Sequence, residues 1–127
     1  MLIRQQNTNR IEYMSVKIYH NPRCGKSRET LQLIRDKGID PAIHEYLKEP
    51  LTSSQLEELI NLLGIEAKDL VRTTEAIFKE QFKGKDLSAA EWIEAMVAYP
   101  KLMQRPIVVN GNKAILGRPP ENVDEIL

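Results

Sequence analysis

The stretch Val16-Lys17-Ile18-Tyr19-His20-Asn21-Pro22-Arg23-Cys24-Gly25-Lys26-Ser27-Arg28 decides how this chain is read. Val16 to Tyr19 alternates like a strand, and Asn21-Pro22 bounds it as a turn. From Lys26 to Lys37 the period becomes helical, with Leu31 and Ile34 on one face and Gly38 as the C-terminal stop. Cys24 therefore falls between the end of a strand and the start of a helix. There the free amides and the helix dipole favour an anion, so a thiolate is stabilised and is the reactive form. Arg23, Lys26 and Arg28 add positive charge, Gly25 allows close approach to the backbone, and the same amides suit an oxyanion beside the sulfur.

Outward from this loop, Ile43 to Leu47 reads as a second strand ended by Pro50. Thr52 to Leu63 reads as a helix opened by a Thr52/Gln55 capping box, with Leu56, Leu59, Ile60 and Leu63 on one face and Gly64 closing it. Ala67 to Phe82 is expected to be helical. A further helix opens at Ser88 with Glu91 three residues on, lines Trp92, Ala95, Met96 and Tyr99 along its face, and ends at Pro100. Ile107-Val108-Val109 and Lys113 to Leu116 then read as strands joined at Asn110-Gly111. Pro119-Pro120 opens a short last helix through Ile126. The order β-α-β, helices, β-β-α predicts an α/β, thioredoxin-like (glutaredoxin-like) domain with a mixed sheet of about four strands and a helical insertion. Residues 14–127 are expected to form it. Residues 1–13 read as a polar N-terminal extension ahead of a second methionine, Met14.

Composition narrows the function. The chain has 127 residues, 42% hydrophobic and 28% charged, as in an ordinary globular domain. Its 18 Lys and Arg balance 18 Asp and Glu, which argues against a general nucleic-acid partner. No apolar run approaches the ~20 residues needed to span a bilayer. The start lacks the roughly 7–15-residue apolar core of a signal peptide, so a cytoplasmic protein is expected. One cysteine cannot form an internal disulfide. With only two histidines, far apart, a zinc site is not expected.

Cys24 could be no more than a small buried hydrophobe, but its polar, basic neighbours argue otherwise. Cys-x-x-Cys fails because Ser27 holds the partner position, and the phosphatase loop Cys-x5-Arg fails at Thr30. His20 to Arg28 resembles the H-N-P-x-C-x-x-S-R signature of the glutaredoxin-coupled arsenate reductases, the ArsC family. Three further segments resemble that family: Leu70-Val71-Arg72, Gln104-Arg105-Pro106-Ile107-Val108-Val109, and Gly117-Arg118-Pro119-Pro120-Glu121. The likeness covers Ser15 to Leu127.

The resemblance implies that Cys24 attacks arsenate and becomes arsenylated while Arg72, Arg105 and Arg118 hold the oxyanion. Arginine's planar, permanently charged fork suits those oxygens, and screening their charge lowers the barrier to an approaching thiolate. It also implies a role for His20, as a cation lowering the thiol pKa, and for Ser27, as a hydroxyl donor to the thiolate. The alternative for His20 is a residue that only satisfies loop hydrogen bonds, and for Ser27 one that only caps the helix. His44 reads as strand surface and Trp92 as core. By fold analogy the Arg105–Pro106 bond is expected to be cis.

Reducing arsenate takes two electrons, and a lone cysteine cannot supply them and return to a thiol. The family's solution is glutathione as co-substrate and glutaredoxin as partner, with no bound cofactor or metal. A monomer without a nucleic-acid or membrane partner is expected. Two alternatives share the resemblance: an ArsC-like thiol reductase of another substrate, and a regulator that binds RNA polymerase, often through a Cys-x-x-Cys switch that Ser27 breaks here.

Overall fold

The computed structural model describes residues 16–127, so the expected extension, 1–13, lies outside the described residues. Two compact units are distinguished. The first comprises residues 16–45 and Arg105–Leu127, and the second, Tyr46–Gln104, is inserted in sequence between its halves.

The first unit carries the sheet. Strand β1 (Val16–His20) leads into helix α1 (Gly25–Asp36) and then into β2 (Ala42–Glu45). After the insertion come β3 (Ile107–Asn110), β4 (Lys113–Leu116) and a 3-10 turn, Pro120–Glu125. The order across the sheet is β2-β1-β3-β4, with β2 parallel to β1 and the other pairings antiparallel. Ile18 sits at the centre, in register with Ile43 on one side and Val108 on the other. This is the mixed, thioredoxin-like sheet that the element order predicts. Each fully buried aliphatic side chain at its centre contributes about 1.5–3 kcal/mol.

Helix α1 buries Ser27, Thr30, Leu31 and Ile34, an i, i+3, i+4, i+7 stripe. Leu31 and Ile34 join Val16, Ile18, Val108 and Val123 in the core. The polar half of the stripe, Ser27 and Thr30, is equally buried and lies near the Cys24 end. Gly38 has φ of +81°, as a stop residue should. Between β3 and β4, Gly111 has positive φ and Asn112 does not, so the hairpin turn is type II′ rather than the I′ form favoured by Asn-Gly. Arg105–Pro106 is cis as expected, and Arg118–Pro119 is also cis.

The second unit is helical. Helix α2 (Ser53–Leu63) has the Thr52/Gln55 capping box and a left-handed Gly64 at its end. Helix α4 (Ala89–Ala98) has the Ser88/Glu91 box and buries Trp92, Ala95 and Met96. The helix expected over Ala67–Phe82 is broken. A 3-10 turn covers Ala67–Leu70 and a short helix, α3, covers Ala76–Gln81. Between them Val71 bridges Met103 as an antiparallel pair, and the Arg72 N–H donates to the Leu102 carbonyl at 2.6 Å. That distant pairing pulls the backbone out of the helix, overriding local propensity. Among the described residues no helix is long and apolar enough to cross a membrane.

Candidate active site

The chain turns sharply from β1 into α1, and hydrogen bonds from Asn21 shape the turn. The Asn21 carbonyl accepts from Cys24 N–H at 2.9 Å, and its side-chain oxygen accepts from Arg23 N–H at 3.0 Å. The Arg28 guanidinium donates back to the Pro22 carbonyl at 2.9 Å. These bonds put Cys24 at the N-cap of α1, in extended backbone geometry, half-buried.

Burial, the largest single influence on the Cys24 thiol, pushes its pKa up. The Ser27 backbone N–H, the Arg105 guanidinium and the Lys26 backbone N–H act the other way and together prevail, leaving the pKa below its ordinary value. The anion-stabilising helix start inferred from sequence is therefore present, supplied by two amides and one arginine. Arg118 is the second cation. Its Nη1 lies 4.0 Å from Cys24 Sγ and 3.4 Å from the Arg105 carbonyl oxygen. Arg118 is exposed and Arg105 half-buried, so one arginine is set by packing and the other reaches in from the surface.

His20 and Ser27 are joined behind this thiol. Ser27 Oγ lies 2.6 Å from His20 Nδ1 and accepts from Asn21 N–H at 3.0 Å. In the Nε2–H tautomer the serine hydroxyl donates to the imidazole while accepting from the backbone. The cation expected at His20 is not what this environment favours. Burial, first, and then the charges of Arg35 and Arg28 lower its pKa below 6.5, with Glu45 opposing. His20 is therefore neutral at pH 7. Ser27 is not the cap, a position that Cys24 holds. Its hydroxyl serves His20 and Asn21, and its backbone N–H is what reaches the sulfur.

Arg72 belongs to the second unit. There its Nε lies 3.1 Å from Thr74 Oγ1 and 3.5 Å from Glu75 Oε1. His44 packs against Tyr19 with ring centroids 5.1 Å apart and planes tilted by 38°.

Two residues near the site had no role assigned from the sequence. Thr30 is fully buried on α1, and its hydroxyl faces the Lys26 carbonyl at 2.8 Å and the Gly117 carbonyl at 3.2 Å. Gly117 is wedged so tightly that a Cβ on it would come within 2.8 Å of Thr30 Oγ1 and 2.9 Å of Pro106 Cγ. The G-R-P-P-E stretch therefore begins with glycine for lack of space.

The family model described as ArsC family matches residues 19–126. The chain belongs to the ArsC family. It is 47% identical over 116 residues to an arsenate reductase of Haemophilus influenzae, covering 90% of this chain and 100% of that one. It is 49% identical over 114 residues to the uncharacterized protein YfgD of Escherichia coli, covering 88% and 96%. Among solved structures, an arsenate reductase from Vibrio cholerae superposes with a TM-score of 0.86 at 46% identity, covering 90% and 98%. This member of the ArsC family thus has the thiol, two of the expected arginines, His20 and Ser27 within one compact unit.

Proposed function

We propose that the chain reduces arsenate to arsenite, with Cys24 as nucleophile and Arg105 and Arg118 as oxyanion ligands. The observation that carries this reading is the thiol itself, held at the start of α1 with a lowered pKa and with the Arg118 guanidinium 4.0 Å from its sulfur. Arsenate carries about two negative charges near neutral pH. Two guanidinium groups would hold those oxygens and screen them from the attacking thiolate. The arsenate reductases among the relatives support the substrate.

In the proposed cycle, the Cys24 thiolate bonds to arsenic and an arsenate oxygen leaves as water. Glutathione adds a second sulfur to arsenic, displacing another oxygen as water. Glutaredoxin's thiolate then attacks the glutathione sulfur. The sulfur–arsenic electron pair stays on arsenic, taking As(V) to As(III), and a glutaredoxin–glutathione disulfide forms. Water finally releases arsenite and returns Cys24 as a thiol. His20 and Ser27 act through the loop, fixing the amide that meets the sulfur. Arg72 keeps the oxyanion role implied by the resemblance, and unchanged arsenate kinetics in Arg72→Ala would remove it from the set.

The deciding test is NADPH oxidation with glutathione, glutathione reductase and glutaredoxin, with and without arsenate. An arsenate-dependent rate is expected. Its absence, with a thiol that still alkylates rapidly, would favour a glutathione-dependent reductase of a different substrate. The 49% identity to YfgD, whose name records no activity, keeps that second reading in view.

A further inference from the structure

Arg118 is exposed and sits on a short link between β4 and the Pro120–Glu125 turn, yet its guanidinium lies 4.0 Å from Cys24 Sγ. A long side chain on a link of this kind has many rotamers, so something must fix where it starts. The backbone around it is held from two sides. The Thr30 hydroxyl shares its one proton between the Lys26 and Gly117 carbonyls, at 2.8 and 3.2 Å. The Asn122 amide donates to the Leu116 and Arg118 carbonyls, at 3.2 and 3.1 Å. Three consecutive carbonyls, 116 to 118, are thus held by two side chains. Gly117 N–H is also tied to the Pro106 carbonyl at 2.9 Å, and a Cβ on Gly117 would come within 2.8 Å of Thr30 Oγ1. Thr30 stands on the same helix that Cys24 caps, so it links the thiol's helix directly to the arginine's link.

We infer that Thr30 and Asn122 are positioning residues that clamp the Leu116–Arg118 backbone and so set the Arg118 guanidinium against the Cys24 thiolate. The inference deepens the proposed function but concerns charge at the sulfur, which can be read without turnover. Cys24 is the only cysteine, so alkylation reports on it alone. Iodoacetate is an anion and iodoacetamide is neutral, and the ratio of their rates measures positive charge beside the sulfur. Arg118→Ala should lower that ratio by about fivefold, the effect of one charge about 4 Å away in a watery setting. Thr30→Val, which keeps the shape and removes the hydroxyl, should lower it by about threefold, and Thr30→Ser should restore it. In an Arg118→Ala background, Thr30→Val should change nothing further. Asn122→Ala, at a half-buried position, should reproduce the loss and provides the test if Thr30→Val does not fold. An unchanged ratio in folded Thr30→Val or Asn122→Ala would overturn the inference. So would an equal loss with Arg118 already removed. If arsenate turnover is absent while the ratios move as stated, the proposed substrate fails and the clamp stands.

Discussion

At the residue scale the site depends on what surrounds one sulfur. Burial alone would make Cys24 a poor thiolate, and two amides and a guanidinium reverse that. Iodoacetamide alkylation followed against pH should titrate below the ~8.5 of a free cysteine, and Arg105→Ala should move the midpoint up. A midpoint at or above the free value in the unaltered protein would remove the activation argument. Cys24→Ser should abolish arsenate-dependent turnover. Arg105→Ala and Arg118→Ala should each lower kcat/KM for arsenate by about 10- to 100-fold, the worth of one charge-assisted contact. His20 works in the opposite sense. Its folded pKa is depressed, so the unfolded chain binds the proton more readily. Its contribution to stability is therefore complete above the ~6.5 of a free imidazole and falls as pH drops from there through the lowered folded value. Chemical denaturation at several pH values should show that slope, and His20→Gln should flatten it. The neutral state of His20 was not legible in the sequence, because it follows first from burial, with Arg35 and Arg28 adding to it, and the motif around Cys24 does not show that burial.

At the scale of elements, α1 does two jobs with one buried stripe. Leu31 and Ile34 anchor it to the sheet, while Ser27 and Thr30 hold the loops at its start. Gly117→Ala should strain that end, because the new methyl meets Thr30 and Pro106 below 3.0 Å. The expected loss is about 1–3 kcal/mol of stability, as for other overpacked sites, measured by urea titration. A variant as stable as the parent would show that the wedge relaxes freely. The capping boxes at Thr52/Gln55 and Ser88/Glu91 were readable because each is completed within four residues. The break at Val71 was not, since Val71 and Arg72 are paired with Met103 and Leu102, far along the chain. Thr30 and Gly117 are 87 residues apart, so no local pattern could join them. What the sequence did disclose of the site was its motif-borne part: the thiol at a helix start, Arg105 before the cis proline, and Arg118.

At the scale of the whole molecule the decisive fact is the single cysteine. With 18 basic and 18 acidic residues the chain has no net charge to gather anions, so positive charge matters only where it is concentrated, within a Debye length of Cys24. With one thiol it also cannot complete a two-electron reduction and return to its starting state. The proposed cycle therefore makes the stoichiometry of arsenite a direct reading of which outside thiols take part. With arsenate alone, mass spectrometry should find at most one arsenic per chain, lost in Cys24→Ser, and no arsenite. With glutathione added but no glutaredoxin, the chain should stop at the Cys24–arsenic–glutathione adduct and release no arsenite. With both present it should rise continuously, at a rate that follows glutaredoxin concentration until saturation. Many turnovers on glutathione alone would show that glutathione itself performs the second attack, and glutaredoxin would leave the cycle while Cys24 stayed in it. Many turnovers in Cys24→Ser would remove the nucleophile, and with it the whole mechanism.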